Sequence, residues 1–342
     1  MIHASVYDAE TKTYRKMDAE QLRCGGPANQ AGRVLWIDLE NPTPEEEAFV
    51  LQEFLPIHAL SFEDVTRLRR EPESPPHFPK AEEFPDYLFV IVNPLTMRFM
   101  EWIRAEGDDE GCKSPVTQLS AVLTPRVLVT HHYEPLPCVV QLQNHLARHS
   151  FQMERGPDYL FHLILDSTVD QYAPALDHVD ETLDDLETTV VQQHRPTLYL
   201  RILRLKREIM ILRKTLVYER EVLVRLARGE FNLVDERETI YYRNVYDHLV
   251  RFTDLIESSR DLASDLLQSF QAATANRLNE VMKVLTMIST IGLVCALISG
   301  IYGMNFEHMP ELKWTYGYPF ALGMMLLAGA ISFLFFRWKK WI

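Results

Sequence analysis

Residues 284–302 read VLTMISTIGLVCALISGIY, nineteen positions without a charged side chain, and Gly303-Met304-Asn305 follows at once. A second uncharged stretch, residues 316–336, lies beyond a loop of residues 303–315. A helix needs roughly 20 apolar residues to cross the hydrocarbon core of a bilayer, so each stretch predicts a membrane-spanning helix. The alternative is a pair of buried core helices, and two such runs at one end of an otherwise polar chain argue against it. Arg277 and Lys283 precede the first stretch, and Arg337, Lys339 and Lys340 follow the second. The loop between them holds only Lys313 against Glu307 and Glu311. Positive charge gathers on the cytoplasmic side, which predicts that both termini face the cytoplasm and that the loop faces out. Trp314, Tyr316 and Tyr318 sit where the outer interface is expected, Trp338 and Trp341 where the inner one is.

Two helices cannot enclose a pore, so conduction would need several copies around one axis. The first span has a suitable face: Asn279, Met282, Leu285, Ser289, Leu293, Ala296 and Gly300 recur at helical spacing. Ordinary helix packing, with Ala296 and Gly300 allowing close approach, fits the periodicity equally well.

Working toward the N-terminus, residues 235–302 predict a stalk helix that continues unbroken into the first span. Residues 157–234 predict a long helical hairpin. Its first arm, residues 158–194, carries nine carboxylates and no Lys or Arg; its second, residues 198–228, carries nine Lys or Arg against three Glu. Such complementary arms attract, although each exposed pair contributes little. Residues 1–156 predict a mixed α/β domain. Residues 34–39 (VLWIDL) and 86–93 (DYLFVIVN) are β-rich, and residues 119–123 and 127–130 flank Thr124-Pro125-Arg126 as a hairpin. Asn41-Pro42-Thr43-Pro44 breaks the chain before a helix-favouring stretch, and residues 337–342 form a basic tail.

Composition narrows the function. A formal charge of −13 excludes a strongly basic surface, and with it nucleic acid as the main partner. Four scattered cysteines, Cys24, Cys112, Cys138 and Cys295, form no CxxC pair and suit a reducing compartment. No phosphate-binding loop, dinucleotide fingerprint or GxSxG is present. The sequence therefore predicts neither an enzyme nor a nucleotide partner, and no cofactor. His145 and His149 stand four apart with His131, His132 and Cys138 upstream, a possible zinc set or simply structural histidines.

The stretch Tyr302-Gly303-Met304-Asn305-Phe306-Glu307-His308-Met309-Pro310-Glu311-Leu312 resembles the signature loop of the CorA family of magnesium transporters. The likeness extends to Asn279-Glu280-Val281-Met282-Lys283-Val284-Leu285-Thr286, to Tyr316-Gly317-Tyr318-Pro319 and to Trp36-Ile37-Asp38-Leu39-Glu40-Asn41-Pro42-Thr43. The resemblance implies a homopentameric funnel in a bacterial inner membrane: an α/β cytosolic domain, long helices and two C-terminal spans. Lipid, divalent cations and copies of itself would then be its partners. It implies a selectivity filter at Gly303, Met304 and Asn305, and it favours pore lining for the helical stripe, with Met282 and Leu285 as the constriction. Glu307 and Glu311 would attract cations to the mouth, or would simply be a solvated loop face.

Departures from the family pattern bear on regulation and ion choice. Val294 and Ala296 stand where a Pro and a Thr are usual. Asn244 and Gln268 occupy positions where magnesium-regulated members carry aspartates, so these regulatory positions would be degenerate. His308 replaces an aromatic residue and favours softer metals. The expected function is a passive channel for hydrated Mg²⁺, with Co²⁺ or Ni²⁺ possible. The alternatives are a Zn²⁺ transporter of the ZntB-like branch, proton-coupled or not, and a membrane-anchored sensor or scaffold.

Overall fold

The computed structural model describes residues 1–23, 32–72, 74–104, 115–192, 196–304, 314–339 and 341. The chain divides into two compact units, Met1–Thr189 with Arg195–Leu266, and Val190–His194 with Leu267–Ile342.

In the first unit the strands are β1 (Ile2–Asp8), β2 (Thr13–Met17), β3 (Arg33–Glu40), β4 (Lys80–Glu83), β5 (Leu88–Val92), β6 (Leu119–Leu123) and β7 (Val127–His132). They form one sheet ordered β2-β1-β3-β7-β6-β5-β4, antiparallel throughout except where β3 pairs with β7. The strand expected at residues 34–39 is β3, and the expected hairpin is β6–β7, closed by Thr124 N–H donating to the Val127 carbonyl at 2.9 Å. Alternation along the strands sorts the side chains onto two faces. Ile2, Ala4, Val6, Leu35, Ile37, Leu39, Val127 and Val129 share one core cluster with Val50, Leu51 and Val65. Trp36, Asp38, Thr130 and His132 take the opposite face and are also buried. A sheet covered on both faces reads as continuous apolar runs, which is why β5, β6 and β7 are buried at every position.

Short helices α1 (Ala19–Arg23), α2 (Pro44–Ala48), α3 (Ala59–Val65), α4 (Arg67–Arg70) and α5 (Met97–Arg104) connect the strands. Helix α2 starts on a capping box, Thr43 with Glu46, and has Pro44 in its first turn, where no intrahelical donor is needed. Helix α6 (Pro137–Arg148) and α7 (Pro157–Asp170) follow β7. Gly156, which precedes α7, has φ +122°, and a Cβ there would lie 2.7 Å from Asp158 Oδ1. Only glycine fits that position without strain.

The acidic arm is two helices rather than one, α7 and α8 (Tyr172–Gln192), interrupted at Gln171. The cause is Pro174: it has no N–H to offer the Asp170 carbonyl, and its ring crowds that carbonyl. Helix α9 (Pro196–Ala227) is the basic arm. An ion pair between Arg201 and Asp185 at 3.6 Å joins it to α8, with both side chains largely exposed.

Helix α10 runs from Thr239 to Tyr302 without a break. No proline occurs between Pro196 and Pro310, and its first glycine is Gly292. Through Leu266 it buries one stripe: Thr239, Tyr242, Val245, Leu249, Thr253, Ile256, Ser259, Ala263 and Leu266. Its start is anchored by Tyr242, whose hydroxyl donates to the Asp158 carbonyl at 2.7 Å, and by Arg155, which pairs with Glu238 at 2.7 Å and lies over the Tyr159 ring. In the second unit α10 continues to Tyr302, and α11 covers Gly317–Trp338. Both contain segments long and apolar enough to cross a membrane.

Candidate functional site

The membrane part of α10 has a covered side and an open side. Met287, Ile291, Val294, Cys295, Ile298 and Tyr302 are partly buried, and at 100° per residue they fall on one stripe. Helix α11 shows a matching stripe: Gly317, Ala321 and Phe336 are buried, and Met324, Met325, Ala328, Gly329 and Ser332 partly so. Small residues at Ala321, Ala328 and Gly329 let two backbones approach closely. Trp341, beyond α11, lines a groove with Asn276, Asn279, Glu280, Met282, Lys283 and Thr286. That places the C-terminal end of α11 beside the start of the first span, as an antiparallel pair requires.

All seven residues of the predicted pore stripe, Asn279, Met282, Leu285, Ser289, Leu293, Ala296 and Gly300, are exposed. Leu293 is 72% exposed and Met282 56%. On the helical wheel this stripe lies roughly opposite the covered one. A Cβ at Gly300 would meet nothing within 4 Å. Within the chain, then, Ala296 and Gly300 do not serve packing on α11, and the open stripe is available to other molecules.

The stripe leads to the end of α10. Gly303 N–H donates to the Ser299 carbonyl at 2.9 Å, and Met304 N–H to the Ile301 carbonyl at 3.3 Å, so the helix closes at the first two residues of the Gly-Met-Asn triplet. Asn305, Glu307, His308, Glu311 and Lys313 lie outside the described residues, as do Cys24, Cys112 and Lys340. Trp314 resumes the chain against Tyr316 and Phe320, with ring centroids 6.2 and 5.7 Å away. At the other end Phe336 stacks on Trp341 at 5.5 Å, and Lys339 lies over Trp338. Rings with one apolar and one polar side belong at membrane interfaces.

Asn244 and Gln268, the two positions read as degenerate for regulation, are both exposed on α10. The histidines read as a possible zinc set are divided among separate networks. His145 and His149 have ring centroids 5.2 Å apart, but His145 Nε2 bonds Gln152 Oε1 at 2.6 Å. His131 Nε2 is 3.1 Å from the Glu47 carboxylate, which also accepts from Tyr133 and pairs with Arg69. His132 pairs with Asp38 at 3.2 Å and with the Glu134 carbonyl. Burial lowers the His131 pKa; at His132 burial is outweighed by Asp38, and its pKa is raised. Burial pushes the Cys138 thiol up to about 12, which makes it a core residue and a poor metal ligand. Among the described residues no three His, Cys, Asp or Glu side chains gather as a metal site.

The covered stripe of α10 and the approach of Trp341 to Asn279 and Met282 were not singled out in the sequence. The first was legible as a second periodicity opposite the stripe from Asn279 to Gly300. The second had no local signal, because it depends on where the tail returns.

Comparison with known proteins agrees with this architecture. Residues 31–340 match the family model described as CorA-like Mg²⁺ transporter protein. The cobalt/magnesium transport protein CorA of Thermotoga maritima is 31% identical, covering 97% of this chain and 90% of its own. The complete structure of the CorA magnesium transporter from Methanocaldococcus jannaschii superposes with a TM-score of 0.79 at 23% identity, covering 99% of this chain and 98% of that one. The ZntB cytoplasmic domain from Vibrio parahaemolyticus shares the fold over 80% of this chain and 99% of its own, with a TM-score of 0.58 at 14% identity. An α/β domain, long helices and two C-terminal membrane helices, matched over nearly the full length, make this an integral membrane protein. The chain belongs to the family of CorA-like Mg²⁺ transporter proteins.

Proposed function

We propose that the chain is one subunit of a passive divalent-cation channel whose main cargo is Mg²⁺. The open stripe of α10 lines an axis shared by copies of the chain. The observation that carries this reading is the position of that stripe, exposed, opposite the side matched to α11, and ending at Gly303-Met304. Five copies, as the family resemblance implies, would bring five such stripes together in a bacterial inner membrane with both termini in the cytoplasm.

Mg²⁺ gives up its water reluctantly and keeps several waters when bound. A ring of Asn305 amide oxygens with Gly303 carbonyls accepts hydrogen bonds from those waters without a charge that would trap the ion. Glu307 and Glu311 raise the local cation concentration. Rings of Met282 and Leu285 gate by dewetting when they close. The relative named for cobalt and magnesium transport supports Co²⁺ as a second cargo. A second reading, Zn²⁺ transport, is favoured by His308, since imidazole suits Zn²⁺ better than Mg²⁺.

The test is ion uptake into proteoliposomes, with Mg²⁺ and Zn²⁺ measured separately and with or without a proton gradient. Mg²⁺ entry that needs no proton gradient and is lost in Asn305→Ala is the expected result. If neither ion moves, the chain is a sensor or scaffold; if Asn305→Ala conducts like the wild type, the filter does not run through Asn305.

A further inference from the structure

Helix α9 carries a carboxyl in the buried interior of the first unit. Glu219 is 2% exposed. Its Oε1 accepts the Asn93 N–H at 2.9 Å, just beyond β5. Tyr172, the first residue of α8, donates its hydroxyl to the Asn93 carbonyl at 2.8 Å. The Asn93 amide donates in turn to the His77 carbonyl at 2.8 Å. One residue at the end of β5 therefore joins α8, α9 and the segment before β4.

Two polar atoms of this junction, Glu219 Oε2 and Asn93 Oδ1, both buried acceptors, have no hydrogen-bond partner among the described residues. A buried acceptor left unpaired destabilises the fold. Two of them cannot satisfy each other while the carboxyl is ionised. A proton on Oε2 converts one acceptor into a donor, and Asn93 Oδ1 belongs to a residue that Glu219 already touches.

Among the described residues no cation pairs with Glu219. Lys80 of β4 is engaged by Asp64 and Glu82, and Glu83 accepts the Asn232 N–H. The His77 ring lies between Asp64 and Arg67. Cys138 of α6, beside Tyr172, is a neutral thiol. On α9 itself Lys214 lies over the Phe78 ring, and Arg225 is held by Glu230 and the Ala81 carbonyl. Burial pushes the Glu219 carboxyl up to about 8, against the hydrogen bond from the Asn93 N–H.

We infer that Glu219 is a proton-binding site, and that its proton latches α8 and α9 to the sheet at Asn93. Losing the proton leaves a bare carboxylate in an apolar junction and loosens the latch. The sign follows from linkage. A carboxyl whose folded pKa is raised binds a proton in the folded chain that the unfolded chain has already released. Its contribution is therefore fully present below the unfolded value of 4.5 and is lost as pH rises to about 8. The latch thus responds to pH in the range of the cytoplasm.

The test uses the full chain in detergent or nanodiscs, comparing wild type with Glu219→Gln, which keeps the shape and a permanent hydrogen-bond donor. The folding equilibrium of the wild type relative to the variant should fall up to tenfold per pH unit between about pH 5 and 8 and level off above. Read as melting temperatures, the two profiles converge at low pH and separate on the alkaline side, with the variant higher. A buried carboxylic-acid band in the infrared spectrum at pH 6, lost by pH 9.5 and absent from Glu219→Gln, gives an independent readout. If Glu219→Gln does not fold, Glu219→Met, which has a similar volume and does not titrate, takes its place in both comparisons. Parallel melting profiles, or a wild-type spectrum without the band at pH 6, overturn the inference. Neither readout depends on transport.

Discussion

Gly303 has little room for a side chain. A Cβ there would lie 3.2 Å from the Ser299 carbonyl oxygen and 3.6 Å from that of Gly300. In Gly303→Ala the last turn of α10 must shift by a few tenths of an ångström, at the residue from which the proposed filter hangs. Mg²⁺ flux should fall several-fold while the melting temperature stays within a degree or two, which proteoliposome uptake and thermal unfolding check together. Asn244 makes a different test. An amide is a weaker cation ligand than a carboxylate. Asn244→Asp should therefore increase inhibition of flux by cytosolic Mg²⁺. Equal flux across millimolar Mg²⁺ in both proteins would remove Asn244 from regulation. The sequence singled out both residues because a short motif is local. It could not show that His131 and His132 are core residues, since their partners Glu47 and Asp38 lie far away in the chain.

Helix α10 carries two different faces in succession. Through Leu266 its apolar stripe is buried in the first unit, and beyond Leu267 the membrane part presents one side matched to α11 and one side open. Single cysteines introduced in a Cys295→Ser background should report this. At Ser289, Leu293 and Ala296 a hydrophilic thiol reagent should react, and Mg²⁺ should slow the reaction. At Ile291, Val294 and Ile298 labelling should be weak. A labelling pattern without helical period would contradict the assignment of faces. The anchor of α10 in the first unit is equally testable. Tyr242→Phe removes the hydroxyl that bonds the buried Asp158 carbonyl and should cost about 1–3 kcal/mol in denaturant unfolding.

For the whole molecule, the predicted driving force is electrical and chemical, without a nucleotide. Each elementary charge gains about 2.3 kcal/mol per 100 mV of inside-negative potential, so a divalent ion gains about twice that. Mg²⁺ uptake into vesicles should rise steeply as a potassium diffusion potential is made more negative, and a proton gradient alone should not drive it. Uptake that follows the proton gradient and ignores the potential would shift the reading to the proton-coupled Zn²⁺ alternative.

Two spans, an α/β start, a long helical middle and the Gly-Met-Asn loop were all determined by the sequence itself. Span length, strand alternation and absence of proline are properties of neighbouring residues, so they are written along the chain. Only the tertiary structure decided which side of α10 stays open, because that depends on where α11 packs. It alone gave Glu219 its partners: the spacing of Leu212, Leu216 and Leu223 sets Glu219 on the apolar side of α9 and Glu221 off it, but does not say what Glu219 meets there. Packing against Asn93 and Tyr172 buries Glu219, while Glu221 stays exposed. Contact is a relation between distant segments, and a local pattern does not contain it.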